Sequence, residues 1–243
     1  MRCRWLLPLH TIFETMQTIV LLHGAIGAKD QLQPLADMLK DTFDVHTLSF
    51  SGHGENDFAE YDYSIPAFAH ELLQYLDAQK LEKVSVFGYS MGGYVALYLA
   101  KQYPERVNKI VTLATKFYWD EATAQKEMQM LDADKIEAKL PAFAAVLEKR
   151  HTPKPWKEVL HRTKDMLKAL GDKNTLQPED YATIQIPTLV MLGDKDKMVG
   201  LDETVAVYRQ LPNAQMAMLP ATQHPIEQAN LPVLAYFIQY FLG

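Results

Sequence analysis

Residues 81–101 constrain the fold more than any other part of the chain. They run as a short apolar segment, Val84-Ser85-Val86-Phe87, then Gly88-Tyr89-Ser90-Met91-Gly92, then Gly93-Tyr94-Val95-Ala96-Leu97-Tyr98-Leu99-Ala100. The first part has the bounded, apolar character of a buried strand. The last is a helix apolar nearly all round, which indicates a central helix covered on several sides. A strand that stops on one residue and a helix that starts on the next leave the side chain between them strained and exposed. That side chain is Ser90. So sharp a turn brings backbone segments too close to tolerate a Cβ at 88 or 92, which accounts for both glycines, and strain of this kind is normally held only where function requires it.

The same alternation continues along the chain. Residues 17–22 form a continuous apolar run rich in β-branched side chains, the pattern of a strand buried on both faces. It ends at His23-Gly24-Ala25-Ile26-Gly27. A helix is predicted over 31–41 with Leu32, Leu35, Ala36 and Leu39 on one face, then a strand over 43–50 closed by Ser51-Gly52-His53-Gly54. Ser64 caps the next helix, whose apolar face is Ile65, Phe68, Ala69, Leu72 and Leu76, and Pro66 suits its first turn. Residues 107–114 are another buried strand. The pattern resumes with a strand over 186–192, a helix over 202–210, a strand over 214–219 and a terminal helix over 232–241. The expected fold class is therefore α/β, a mostly parallel doubly wound sheet with helices on both faces and its chemistry beyond the carboxyl ends of the strands.

Between these halves the alternation breaks. Residues 116–184 contain no convincing strand. Ile136, Leu140, Phe143 and Leu147 recur at helical spacing, with Pro141 as a kink or a start, and Trp156, Val159, Leu160, Thr163, Leu167 and Leu170 repeat the pattern, with Gly171 as a stop. This reads as a helical cap inserted before the last two strands and lying over the sheet's active edge. The expected organisation is an extension over 1–15, a core over 16–115 and 185–243, and a cap over 116–184.

Length and composition fit one globular domain with an insertion: 243 residues, 48% hydrophobic and 22% charged. A net charge of −6 disfavours nucleic acid or an anionic membrane surface as partner. Cys3 is the single cysteine, so no internal disulfide forms and the expected setting is reducing and cytoplasmic. Arg2 and Arg4 precede a short apolar run, but Pro8 and His10 interrupt it and no small-x-small cleavage site follows. An upstream-start extension ahead of Met16 is the simpler reading of residues 1–15, with native structure or a targeting segment as the alternatives. No stretch reaches the roughly 20 apolar residues of a membrane span.

A serine hydroxyl at neutral pH is a poor nucleophile, so Ser90 needs a base within hydrogen-bond reach and the base needs a group to orient it. His224 follows the predicted strand over 214–219, and Asp194 and Asp196 follow the strand over 186–192. Both lie where a parallel sheet puts its chemistry, in the chain order Ser, Asp, His.

On these residues the chain resembles the α/β-hydrolase superfamily, in the serine-nucleophile branch with a helical cap, over residues 17–243. Gly193-x-x-Asp196 is similar to the family's acid loop, which implies Asp196 over Asp194. His23-Gly24 resembles the family's oxyanion loop, which implies the backbone N–H groups of Ala25 and Met91 as oxyanion donors. The resemblance implies acyl transfer to Ser90 followed by hydrolysis by water activated by His224, without metal or organic cofactor, on a small-molecule substrate held between cap and sheet. Ile26, Tyr89, Phe117, Tyr118 and Trp119 are the candidate pocket residues, the last three serving instead as a cap anchor in a second reading. Where many members carry Asp-x-Pro-Gly-His-Gly-x-Ser, this chain has Ser49-Phe50-Ser51-Gly52-His53-Gly54-Glu55-Asn56. Residues 88–93 resemble menaquinone-pathway synthases of this fold, which continue with Arg where this chain has Tyr94, and carbon–carbon hydrolases share Ser-Met-Gly-Gly. Ser90 argues against the branches with an Asp nucleophile.

Other polar residues carry blander expectations. His23 and His53 lack a close-spaced ligand pair and are expected to structure loops rather than bind metal with His224. His70, His151 and His161 are expected on helix surfaces, Glu148-Lys149-Arg150 on a solvated face, and Phe143 and Trp156 in the cap's own core. The function expected is hydrolysis of a small ester, thioester or related carbonyl compound. Carbon–carbon cleavage or a lyase reaction on the same triad, or ligand binding with negligible turnover, are the alternatives.

Overall fold

The computed structural model describes residues 16–243; the extension expected over 1–15 and Cys3 lie outside the described residues. Six strands, β1 (Thr18–Leu22), β2 (Asp44–Leu48), β3 (Val84–Tyr89), β4 (Val107–Leu113), β5 (Thr188–Gly193) and β6 (Ala214–Leu219), form one parallel sheet in the order β2-β1-β3-β4-β5-β6. The helices between them are α1 (Gln33–Leu39), α2 (Ile65–Ala78), α3 (Met91–Gln102) and α9 (Leu201–Gln210), and α10 (Leu231–Leu242) ends the chain.

The apolar runs fill both faces because successive strand residues point to opposite sides. Ile19 and Leu21 pack with Leu35 and Leu39 of α1 and Ile238 of α10, whereas Val20 and Leu22 pack with Leu72 of α2, Val95 of α3 and Val207 of α9. A strand serving two cores must be apolar throughout, and Ile19 to Leu22 are all fully buried. The chain leaves β1 for β2 on one side and occupies β3 and β4 on the other, so the crevice beyond the carboxyl ends of β1 and β3 is the sheet's switch point. The side chain of Ser64 accepts the Ala67 N–H and caps α2.

The insertion before β5 comprises α4 (Glu121–Met130), α5 (Ala133–Lys139), α6 (Pro141–His151), α7 (Trp156–Asp172) and α8 (Pro178–Tyr181). Pro141 begins a new helix, so the helical register restarts there. The apolar face expected across 136–147 is corrected accordingly: Ile136 and Leu147 are buried with Trp156 and Leu160, but Leu140 sits in the break, 56% exposed, and Phe143 is 36% exposed. Gly171 does not stop α7, which runs on to Asp172. No helix among the described residues is long and apolar enough to cross a membrane.

Candidate active site

Ser90 occupies the single residue between β3 and α3, with φ 51° and ψ −118°. That conformation is costly for a residue with a side chain and is held here by its surroundings. The Ser90 N–H donates to Leu113 O at 2.8 Å, and the Thr115 hydroxyl donates to Ser90 O at 3.0 Å. The glycines on either side are sterically required. A Cβ on Gly88 would lie 2.3 Å from Gly93 N, and one on Gly92 would lie 2.4 Å from Leu22 O of the neighbouring strand. The Ser90 hydroxyl makes no hydrogen bond among the described residues and faces a cavity that His224 also lines. In a site without substrate, the bond from nucleophile to base is commonly long and tightens only in the Michaelis complex.

His224 Nδ1–H donates to Asp196 Oδ2 at 2.9 Å, which leaves Nε2 as the unprotonated nitrogen of the neutral ring. Asp196 Oδ1 accepts the Met198 and Val199 N–H groups at 2.8 and 2.9 Å, and its side chain is fully buried. Burial pushes this carboxyl up, but the hydrogen bond and charge of His224 and the two N–H donors outweigh it and leave it below the ordinary carboxylate range. Asp194 points elsewhere, accepting the Thr222 N–H at 3.1 Å and pairing with Lys195. The Tyr89 hydroxyl donates to His224 O at 3.0 Å and anchors the loop that carries the imidazole.

The loop after β1 is held by histidines. His23 Nε2 accepts the Phe50 N–H at 3.1 Å, so its Nδ1–H donates to Gly24 O at 2.7 Å. His53 places Nε2 2.6 Å from Ala25 O and Nδ1 3.0 Å from Ser51 O. Burial lowers the affinity of both rings for a second proton, and for His23 the neighbouring His53 adds to this. Their expected loop-structuring role therefore has a specific form. Neither the Ala25 nor the Met91 N–H has an acceptor among the described residues. They flank Ser90 from the β1 loop and from the first turn of α3, where unpaired N–H groups favour negative charge.

Ser90, His224, Gly24, Ala25, Ile26 and Tyr89 line one cavity of about 250 Å³, which residues Trp119, Met130, Leu131, Phe143, Met166, Leu167 and Leu170 of the inserted segment also line. Two of the expected pocket residues are corrected. Phe117 is 3% exposed and packs edge-on against Tyr181 in the core beneath the cap, and Tyr118 is 57% exposed at the surface; neither reaches the cavity. The reason is the direction of the chain after β4. Glu203 Oε2 accepts the N–H groups of both Phe117 and Tyr118, turning that segment outward before Trp119 folds back. Phe143, expected in the cap's core, lines the cavity instead.

Two polar groups in the wall escaped the sequence reading. Lys116 Nζ donates to Met198 O at 2.7 Å and lies 3.7 Å from Glu127 and 3.5 Å from Glu203. Arg150, expected on a solvated face, has a side chain only 7% exposed and bridges Asp30 and Glu227 at 3.2 Å each. His151, expected at the surface, is fully buried, whereas His70 and His161 are exposed.

Chemically, the arrangement presents a hydroxyl, an imidazole fixed in one tautomer by a buried carboxylate, and two unpaired N–H groups to a small apolar chamber. It is suited to attack on a carbonyl carbon with the developing oxyanion held by backbone. The alpha/beta hydrolase fold family model matches residues 17–145. The chain is 26% identical to a Bacillus subtilis (strain 168) protein named as a candidate 2-succinyl-6-hydroxy-2,4-cyclohexadiene-1-carboxylate synthase, over 93% of this chain and 90% of the relative. It is 27% identical to Lipase 3 of Moraxella sp. (strain TA144), over 86% of this chain and 72% of that protein. A solved structure of a candidate lipase (lip1) from Acinetobacter baumannii AYE superposes with a TM-score of 0.80 at 22% identity, over 94% of this chain and 84% of its own, a likeness of fold. With more than half of its length matched by the family model and every strand of the sheet parallel, the chain belongs to the α/β-hydrolase fold family.

Proposed function

We propose that the protein is a serine hydrolase that cleaves small, uncharged acyl esters or thioesters through an acyl-enzyme on Ser90. The observation that carries this reading is the strained Ser90, which opens on the same cavity as an imidazole tied to a buried carboxylate. In the mechanism, Ser90 Oγ attacks the carbonyl carbon as its proton passes to His224 Nε2, and Asp196 stabilises the imidazolium that forms. The carbonyl oxygen becomes an oxyanion between the Ala25 and Met91 N–H groups. Collapse expels the alcohol or thiol, which takes the proton from His224. Water, deprotonated by the same Nε2, then attacks the acyl carbon, and Ser90 leaves with the proton as the acid is released. All groups are supplied by the chain.

The cavity supports the choice of substrate. About 250 Å³ lies just below the usual range for ligand sites, which suits a short acyl group, and its lining is mostly apolar. Each of its cations is already matched by two carboxylates, Lys116 by Glu127 and Glu203, and Arg150 by Asp30 and Glu227. An anionic acyl chain would enter with no free cation to meet it, and an unpaired buried charge costs several kcal/mol. This weakens the reading as a synthase acting on carboxylated substrates, despite the similarity to the Bacillus subtilis relative. Tyr94 weakens it further: its hydroxyl bonds the Asn174 side chain and accepts the Leu176 N–H at 2.8 Å, tying α3 to the cap.

The test is hydrolysis of p-nitrophenyl butyrate and of its carboxylated analogue, p-nitrophenyl hydrogen glutarate, by the parent and by Ser90→Ala. Expected are loss of turnover in Ser90→Ala and a kcat/KM at least about tenfold lower for the anionic ester, equivalent to about 1.4 kcal/mol. Most activity surviving in Ser90→Ala would sink the assignment. Equal use of both esters would remove the charge argument alone.

A further inference from the structure

The carbonyls of three successive residues in the loop after β1 are each met by a different imidazole. Gly24 O is met by His23 at 2.7 Å, Ala25 O by His53 at 2.6 Å and Ile26 O by His151 at 3.3 Å. The first two imidazoles come from the core. The third comes from the last residue of α6, in the cap, and is fully buried there. Its Nδ1 accepts the Gly54 N–H at 3.0 Å, so Nε2 is the nitrogen that carries the proton and donates to Ile26 O. His151 thus touches the β1 loop directly and also braces the turn that carries His53, the partner of Ala25 O.

We infer that His151 is a positioning residue through which the docked cap holds the oxyanion loop in register with Ser90. This rests on the reading above, in which the Ala25 N–H is an oxyanion donor. A peptide plane is set by the partners of its own C=O and N–H. The Ala25 N–H must stay unpaired to serve an oxyanion, so its peptide plane is fixed through Gly24 O, which accepts from His23 and from the Gly27 N–H. Removing the bond at Ile26 O leaves the plane between Ile26 and Gly27 held only by the Gly27 N–H, which donates to Gly24 O at 3.0 Å and so bears on the plane that carries the Ala25 N–H, and it loosens the Gly54 turn behind His53. Arg150, the preceding residue, reinforces the same contact by bridging Asp30 and Glu227 on either side of the loop.

The experiment compares His151→Ala, His151→Gln and His151→Asn. The Gln amide reaches where Nε2 stood and can donate to Ile26 O, whereas the shorter Asn amide reaches where Nδ1 stood and can meet only Gly54. Three readouts are taken: amide hydrogen exchange over residues 24–28, kcat and KM for p-nitrophenyl butyrate, and inhibition by butylboronic acid, whose tetrahedral adduct on Ser90 occupies the oxyanion position. In His151→Ala, loop exchange is expected to rise, and kcat and boronate affinity to fall together by about tenfold with KM little changed. That is less than the roughly 100-fold or more for loss of an oxyanion donor outright. His151→Gln should restore most of the effect and His151→Asn little.

The inference is overturned if loop exchange and kcat in His151→Ala stay within about twofold of the parent, a change too small for a lost positioning contact. It is equally overturned if His151→Gln and His151→Asn behave alike, which remains decisive where His151→Ala does not fold. Failure of the hydrolase reading has a different signature: turnover surviving in Ser90→Ala while exchange over residues 24–28 still responds to His151.

Discussion

Asp194 and Asp196 stand two residues apart in one loop, yet the Asp196 carboxylate meets the imidazole and the two N–H groups that fix it, while the Asp194 carboxylate braces Thr222. Asp196→Asn keeps the shape but replaces an acceptor with a donor opposite Nδ1–H, so the ring turns or takes the wrong tautomer. The expected loss is about 10,000-fold in kcat, as in serine proteases, against less than about tenfold for Asp194→Asn. Steady-state kinetics on p-nitrophenyl butyrate decides between them, and a larger loss at Asp194 would transfer the role to that residue. At this scale the sequence was most legible where the cause is local. Gly88 is dictated by the backbone of Gly92 and Gly93 a few residues on, and Ser90 by the element boundary itself, whereas Gly92 answers to Leu22 O of the neighbouring strand. It was least legible for Arg150, His151 and Phe143. Their partners lie across the cap interface, 97 and 125 residues distant for His151, and nothing in a helical wheel reports that distance.

At the scale of elements, the helical insertion meets the core both at α3, where Tyr94 and Lys101 bond Asn174, Leu176 and Asp180, and along a second line beside the β1 loop. Arg150 and His151 of α6 meet the β1 loop and the Glu227 turn, Lys154 meets Glu55 O, and Arg162 of α7 meets Ala59 O and stacks over Phe58. The His151 contact carries a pH dependence. Burial, His53 and Arg150 lower its pKa to about 4 from 6.5, against the weaker opposing effects of Ile26 O and Asp30; His53 and His23 behind it are lowered too. A depressed histidine means the unfolded chain binds more protons than the folded one between the two values. Stability is therefore full above pH 6.5 and falls as pH drops toward 4. Thermal melting across that window should show a fall in Tm that is shallower by several degrees in His151→Gln, which has no proton to take up. Identical slopes in the two proteins would contradict the account. The strands could be read before the structure because two-sided burial demands unbroken apolar runs. The cap could not be read so well: α4 buries only Ala124 and Glu127 and leaves no periodic signal, and Pro141 resets the register between α5 and α6.

For the molecule as a whole, the parallel sheet brings the ends of β1, β3, β5 and β6 to one edge and gathers residues from 24 to 224 round a single cavity. On the proposed reading, the scaffold fixes where chemistry occurs, and the helical insertion, with its apolar residues over the cavity, restricts what enters. The central claim is that acyl transfer passes through Ser90. Its most direct measurement is rapid acid quench of the protein mixed with excess p-nitrophenyl butyrate, followed by peptide mass analysis. The account predicts a burst of p-nitrophenol and a butyryl group on the peptide carrying Ser90, without the burst in His224→Ala, where Ser90 lacks the base that activates it, and with no adduct in Ser90→Ala. Sustained turnover with no adduct on that peptide in any of the three proteins would contradict it.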